Sequence, residues 1–282
     1  MSTVQLFNGK FIPAGEMVLN TSNRGFSFGD GFFESMKLSN RKLPFATEHW
    51  NRVVRVTAFL QINLPEGFTK QSFQQYASLL AEKNGFQNAR IKFQGYRLGD
   101  GRYGPEINHL GWSMTCEPIE QSEFVLNKTG LHVEVCTSHT INPVPQSSFK
   151  SSNSLPYVLG AMFTAKHRLN DSFLLDSQGF IAEATGSNVF LLKGNTLATP
   201  DLSNGGVAGV MRRIVLKEAA ALGVEISEEL VSPEDVFEAD ECFMTNASRG
   251  VQWIGTVGKK RFYKRFSSKL TDHINSQYGL IS

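Results

Sequence analysis

The segment SFLLDSQGFIAEATGSNVFLLKGNTLATP, residues 172–200, constrains the fold more than any other stretch of the chain. Its short apolar runs alternate with turn residues at 177–179 and 194–195, a pattern that predicts four short strands. Strand patterns also occur in VQLFNGKFI, ARIKFQGYRL, HLGWSMTCE, GLHVEVCTS and DECFMTNASRGVQWIGTVGKKRF. Since these strands outnumber the helices and do not alternate strictly with them, we expect an α+β fold.

Two tight turns and four helices complete the predicted framework. Asn8-Gly9 is a type I′ hairpin signal, and FFESMKLSNRKLPF predicts a second hairpin around residues 39–42. Helical periodicity and stop signals predict helices over about 47–60, with Thr47 as N-cap, and over about 70–84, 155–169 and 210–222.

The length predicts two unequal domains. A chain of 282 residues lies near the size at which single cores stop growing. The polar, proline-containing segment CEPIEQSEFV separates two blocks of pattern. We therefore predict a small α/β domain over 1–117, a linker over 118–122 and a larger domain over 123–282.

Composition narrows the class of protein. The chain is 41% hydrophobic and 19% charged, as in globular proteins, and its formal charge of +2 favours neither nucleic acid nor a membrane surface as a partner. The N-terminus lacks a signal-peptide pattern and no apolar run approaches a membrane span, so we expect a cytoplasmic protein. The three separated cysteines are expected to be reduced and structural, and no metal site is predicted.

Lys150, in SSFKSSNSLPYVLG, is the first candidate for chemistry. It precedes a predicted helix start, where the positive end of the helix disfavours a second positive charge. A neutral lysine amine is a nucleophile that forms a Schiff base with an aldehyde. The alternative from the residues alone is a loop lysine that extends into water.

Other segments could bind a phosphorylated cofactor. Glu183, in FIAEATGSNVF, shares a strand face with apolar residues and so needs a partner, unless its strand is a solvated edge. The glycines of NGGVAGVMRR lead directly into a helix, and TNASRG is a small-residue turn; both could present backbone N–H groups to an anion. Arg52, three residues after His49, is either a fixed cation for this anion or part of a solvated helix face.

Five segments in this order resemble the class IV aminotransferases, a family of fold type IV enzymes that depend on pyridoxal phosphate. The segments are RGFSFGDGFFESMKL, EHWNR, FKSSNSLPYVLG, AEATGSNVF and GVMRR. The resemblance implies a two-domain fold like that of D-amino-acid aminotransferase, with a small α/β domain, a larger barrel-like domain and the cofactor in the cleft. It also implies a homodimer whose partner helps to close each site.

The resemblance assigns roles residue by residue. It makes Lys150 the Schiff-base lysine that moves the substrate proton, Arg52 a phosphate ligand and Glu183 the partner of the pyridine nitrogen. It assigns further cofactor contacts to Asn188, Val210, Met211, Ala247 and Ser248. Arg97 aligns with an arginine that holds a substrate carboxylate, and Phe33 stands where D-amino-acid enzymes carry a tyrosine.

Three functions follow as hypotheses. The first is an aminotransferase that moves an amino group from a small apolar, branched-chain-like amino acid to an oxo acid. The second is an aminodeoxychorismate lyase that forms 4-aminobenzoate and pyruvate, because the Lys-x-x-Asn-x-Leu pattern is closer to the lyase and D-amino-acid branches. The third is a non-catalytic member, against which Lys150, Glu183 and Arg52 together argue.

Overall fold

The structure, a computed structural model, describes residues 2–281 and divides into two compact units. Unit 1 comprises the described residues through Glu123 together with Phe149–Asn153, and unit 2 comprises Phe124–Ser148 and Ser154–Ile281. The Lys150 segment, which lies within the larger predicted domain, thus groups with unit 1. The predicted domain limits themselves stay a prediction.

Unit 1 is built on an antiparallel sheet. Its five strands run in the order β2-β1-β5-β4-β3. The strands are β1 (Val4–Phe7), β2 (Lys10–Pro13), β3 (Gly31–Leu38), β4 (Ala89–Arg97) and β5 (Leu110–Pro118). The helices are α1 (Arg24–Phe28), α2 (Ala46–Phe59) and α3 (Lys70–Lys83).

The two faces of the unit 1 sheet have different chemistry because side chains alternate along each strand. Phe32, Met36 and Phe93 lie on the face that joins the core with α2 and α3. The opposite face of β3 carries Phe33 and its neighbours at 35 and 37. The register places Phe33 opposite Gln94, with Lys92 two residues away on the same face.

Unit 2 contains a nine-stranded mixed sheet in the order β11-β10-β9-β12-β13-β6-β7-β8, with β14 paired to β13. The strands are β6 (Leu131–Val135), β7 (Asp171–Leu175), β8 (Ile181–Ala184), β9 (Asn188–Lys193), β10 (Thr196–Pro200), β11 (Glu225–Glu229), β12 (Glu241–Asn246), β13 (Gly250–Val257) and β14 (Lys260–Arg261). The helices are α4 (Leu155–Lys166), α5 (Val210–Ala221), α6 (Pro233–Glu238) and α7 (Phe266–Gln277), with a short 3-10 turn at Leu202–Asn204.

Most local predictions are confirmed, including the α+β class and the four strands of 172–200. Asn8 and Gly9 both have positive φ, 46° and 82°, as a type I′ turn requires. The second predicted hairpin is wrong. Its turn forms, but only an isolated bridge joins Ser39 to Lys42 before the chain enters α2, and β3 pairs with β4 instead.

The start of α2 also differs from the prediction. The helix begins at Ala46 with Phe45 as its N-cap residue, so Thr47 lies in the first turn rather than at the cap. Cys116, Cys136 and Cys242 are free and buried. Within residues 2–281, no helix has both the length and the apolar character to cross a membrane.

Candidate active site

Backbone hydrogen bonds hold the Lys150 segment against β3 in unit 1. The Phe33 N–H donates to the Lys150 carbonyl at 2.8 Å, and the Ser152 N–H donates to the Gly31 carbonyl at 2.9 Å. The segment therefore continues the sheet edge locally. This pairing fixes the backbone from which the Lys150 side chain extends.

Two glycines of the Gly-Asp-Gly motif make room for this segment. A Cβ at Gly29, where φ is +65°, would lie 2.5 Å from Asn153 Oδ1. A Cβ at Gly31 would lie 2.5 Å from the Gly95 carbonyl oxygen. Since real Cβ atoms do not approach so closely, any side chain at either position would displace the Lys150 segment or β4.

The Lys150 ammonium shares an aromatic neighbour with a second lysine. Lys150 Nζ lies 4.7 Å from the centroid of the Phe33 ring, and Lys92 Nζ lies 5.8 Å from the same centroid. Both distances are within the range of a cation–π contact. The predicted substrate residue Phe33 thus lies beside the predicted catalytic lysine.

Arg52 is part of a buried ion-pair cluster in unit 1. Its Nε and Nη2 atoms donate to the two carboxylate oxygens of Glu34, each at 2.6 Å, and His49 Nδ1 lies 2.6 Å from Glu34 Oε2. Burial raises the pKa of Glu34, but the charge of Arg52 and the hydrogen bonds from His49 and Arg52 outweigh it and lower the pKa to about 2. The bidentate pair fixes the orientation of the guanidinium.

Arg97 lies in a different internal network. Its Nε donates to Asp30 Oδ2 at 2.9 Å, beside the Nε of Arg24 at 2.8 Å. Its other nitrogens donate to Asn108 Oδ1 and to the carbonyls of Leu60 and Gln61. These contacts tie the buried guanidinium to loops of unit 1, and the role of Arg97 as a substrate ligand stays a prediction.

Glu183 in β8 is 3% exposed, and Tyr157 and Asn188 donate to it within unit 2. The Tyr157 hydroxyl donates to Oε1 at 2.6 Å, and Asn188 Nδ2 donates to Oε2 at 3.3 Å. Asn188 Nδ2 also donates to the carbonyl of Val207 at 2.8 Å. The solvated-edge alternative for Glu183 is therefore wrong, since its carboxylate is buried and hydrogen-bonded.

The start of α5 is a candidate anion site next to Asn188. Gly209 is the N-cap residue, the first turn carries no acidic residue, and within the described chain no side chain caps this end. The N–H groups of the first turn, those of Val210 and Met211 among them, have no acceptor inside the helix. A Cβ at Gly209 would lie 2.0 Å from Asn188 Oδ1, so glycine is required there.

The Ala247–Ser248 turn already uses one of its N–H groups in a local hydrogen bond. The N–H groups of Ser248 and Arg249 both donate to Asn246 Oδ1, at 3.1 and 2.9 Å. Of the predicted N–H donors at this turn, that of Ser248 is thus already engaged. On the strand before it, the Thr245 hydroxyl is buried and has no hydrogen-bond partner among residues 2–281. Thr245 pairs with Asn188 across β12 and β9.

Two groups in these clusters were missed by the sequence analysis. Glu34 lies on the same strand face as the apolar residues Phe32 and Met36. The same signal identified Glu183 in the sequence. Tyr157 gave no comparable signal, because its partner lies 26 residues further along the chain.

The residues of unit 2 fit pyridoxal phosphate. A buried carboxylate suits a protonated ring nitrogen, and a helix N-terminus suits a phosphate. Asn188 connects the buried carboxylate and the helix N-terminus, because it donates a hydrogen bond to Glu183 and packs against Gly209. The orphaned Thr245 hydroxyl opposite Asn188 supplies a further polar atom for a ligand.

Comparison with known proteins agrees with this chemistry. The family model for amino-transferase class IV matches residues 31–256. The branched-chain-amino-acid aminotransferase of Escherichia coli K12 is 29% identical over 267 residues, covering 89% of this chain and 84% of the relative. The aminodeoxychorismate lyase of Vibrio harveyi is 28% identical over 232 residues, covering 81% and 83%.

Solved structures share the fold. The branched-chain amino acid aminotransferase of Escherichia coli superposes with a TM-score of 0.86 at 20% identity, over 100% of this chain and 95% of that one. The corresponding enzyme of Thermobaculum terrenum, in its pyridoxal-phosphate form, gives a TM-score of 0.84 at 20% identity, over 99% and 95%.

The family match defines a pyridoxal-phosphate-dependent transferase. The chain belongs to the class IV aminotransferase family, as its sequence motifs predicted.

Proposed function

We propose that this enzyme uses pyridoxal phosphate to move an amino group from a small apolar, branched-chain-like amino acid to an oxo acid, with Lys150 as the catalytic residue. The observation that carries the proposal is the anchored Lys150 segment with its Nζ atom over the apolar Phe33 ring. An aromatic surface beside the reactive amine suits an apolar substrate side chain. The similarity to branched-chain aminotransferases supports this choice of substrate.

Each group has a defined task in the proposal. The coenzyme, when bound, supplies the electron sink for the substrate carbanion. Glu183 would hold the protonated ring nitrogen, and Arg52 and the amides of Val210 and Met211 would hold the phosphate. Asn188 holds Glu183 in place. The Lys150 amine would take the α-proton from the substrate as a base and then donate it as an acid.

A second candidate function is aminodeoxychorismate lyase, and one observation favours it. Lys92 brings a second ammonium to the Phe33 ring beside Lys150. A second cation suits a substrate with more than one carboxylate better than it suits a branched aliphatic side chain. The similarity to the Vibrio harveyi lyase is consistent with this alternative.

One pair of assays separates the candidates. Amino transfer from leucine or valine that requires an oxo acid supports the aminotransferase, and pyruvate release from aminodeoxychorismate without an acceptor supports the lyase. Lys92→Met should lower only the second activity. If Lys92→Met impairs amino transfer from leucine and leaves pyruvate release unchanged, Lys92 does not bind an anionic substrate.

The role of Lys150 is tested independently of the substrate. Borohydride treatment of the protein loaded with pyridoxal phosphate should attach the coenzyme to the peptide that contains Lys150. Mass spectrometry of the peptides measures this. Lys150→Ala should lose the adduct and lower turnover at least about a hundredfold. An adduct on another lysine, or full turnover in Lys150→Ala, would refute the proposal.

A further inference from the structure

Tyr157 makes a short hydrogen bond to the proposed ring-nitrogen partner. Its hydroxyl lies 2.6 Å from Glu183 Oε1, and Glu183 is almost fully buried. An O–H···O contact of this length is typical of a hydroxyl that donates to an ionised carboxylate. Asn188 donates to the other oxygen, so both carboxylate oxygens have a donor from the chain itself.

The Tyr157 hydroxyl keeps its proton at neutral pH and can therefore donate a hydrogen bond. Burial raises the pKa of its hydroxyl, and the negative charge of Glu183 and the hydrogen bond to it raise the pKa further, far above the usual value for tyrosine. The phenol is therefore protonated near neutral pH. Its hydrogen bond stabilises the charged form of Glu183 rather than the neutral form.

The position of Tyr157 is fixed by the elements around it. His139 Nε2 donates to the carbonyl of Pro156 at 2.8 Å, in the first turn of α4. One turn later, a Cβ on Gly160 would lie 2.7 Å from Thr185 Cγ2 and 2.9 Å from Leu174 Cδ2. Helix α4 thus packs closely against β7 and the end of β8, which limits the movement of Tyr157 relative to Glu183.

We propose that Tyr157 is a positioning residue that keeps the proton on the coenzyme's ring nitrogen by stabilising the ionised carboxylate of Glu183. The inference rests on the proposed function. In a hydrogen bond between a carboxylate and a ring nitrogen, one proton is shared, and a second donor to the carboxylate lowers its affinity for that proton. The protonated ring is the stronger electron sink, so Tyr157 acts on the reaction through Glu183.

The hydrogen bond between Tyr157 and Glu183 can be tested first in the coenzyme-free protein. Carbon-13 NMR of labelled glutamate side chains reports the titration of Glu183, and the resonance is assigned by its absence in Glu183→Gln. In Tyr157→Phe, Glu183 should titrate at higher pH, by on the order of one pH unit. With 3-fluorotyrosine at position 157, a stronger donor of nearly the same shape, the titration should move to lower pH.

The second measurement uses the coenzyme labelled with nitrogen-15 in its ring. In the unchanged protein the nitrogen should give the shift of a protonated pyridine. In Tyr157→Phe it should move towards the value of neutral pyridine, and kcat should fall while KM changes little. Tyr278→Phe is the matched control, because it removes another hydroxyl that donates to a glutamate, Glu218, at 3.1 Å. That variant should leave the ring nitrogen and the titration of Glu183 unchanged.

The outcomes separate the two proposals. If the unchanged protein binds no pyridoxal phosphate, the proposed function fails and this inference fails with it. If the coenzyme binds but neither Tyr157→Phe nor the fluorotyrosine protein changes the nitrogen shift or the titration, only the role of Tyr157 is refuted. The fluorotyrosine protein keeps the hydroxyl and so provides the test even if Tyr157→Phe does not fold.

Discussion

At the scale of single residues, Glu34 is the group whose ionisation most clearly links folding to pH. It is 1% exposed and holds both Arg52 and His49. Its pKa falls from the ordinary value of 4.5 to about 2, because the charge and hydrogen bonds of its partners outweigh the effect of burial. A carboxyl whose pKa is lower in the folded state stabilises the protein above its unfolded pKa, and this stabilisation is lost as pH falls.

We therefore expect the unfolding free energy to decrease between about pH 4.5 and pH 2, with about 3 kcal/mol of that decrease due to Glu34. Urea denaturation at a series of pH values measures it. Glu34→Gln should be less stable at pH 7 but should lack this part of the pH dependence. Equal acid sensitivity in the two proteins would show that Glu34 does not titrate in this range.

At the scale of elements, the N-terminus of α5 depends on one glycine. Gly209 has φ −63° and ψ 139°, which any residue adopts, so alanine there adds no backbone strain. Its Cβ would lie 2.0 Å from Asn188 Oδ1, and Asn188 would have to leave Glu183 and the Val207 carbonyl. Loss of these bonds should weaken coenzyme binding by about tenfold or more.

Titration of the coenzyme-free protein with pyridoxal phosphate, followed by absorbance, measures the change in Gly209→Ala. Gly186→Ala is the control, because its Cβ would meet no atom within 4 Å. That variant should bind the coenzyme as the unchanged protein does. Equal affinities in all three proteins would mean that the hydrogen bonds of Asn188 do not support coenzyme binding.

The same elements show which features could be predicted from sequence. The hairpin at Asn8-Gly9 and helix α3 depend on residues next to each other in the chain, and both were predicted. The partner of β3 was not, because a strong turn signal at 39–42 says nothing about pairing with β4, which begins at Ala89.

In the candidate site, too, sequence patterns predict local features but not contacts between residues that are far apart in the chain. The lysine segment, the glycine-rich helix start and the buried acid are local patterns, which is why the motifs identified them. The Glu34–Arg52 and Tyr157–Glu183 bonds join residues 18 and 26 positions apart, so only the folded chain reveals them.

At the scale of the whole molecule, helix α4 exposes an apolar stripe. Leu155, Val158, Leu159 and Met162 recur at i, i+3, i+4 and i+7 and are 66%, 51%, 39% and 62% exposed. The opposite side of the helix packs through Gly160 against Leu174 and Thr185. A stripe of this kind on the outer face of a helix is typical of a protein–protein interface. We propose that a second copy of the chain covers it in the homodimer that the resemblance implies.

Light scattering coupled to size-exclusion chromatography should therefore give twice the chain mass of 31.3 kDa. Met162→Lys places a charge in the stripe and should raise the dimer dissociation constant at least about tenfold, since a buried methionine contributes about 1.5–3 kcal/mol. Met17→Lys, at a methionine that is 94% exposed in unit 1, is the matched control and should leave the dimer intact. A monomeric unchanged protein would refute the homodimer, whereas a dimer insensitive to Met162→Lys would place the interface away from α4.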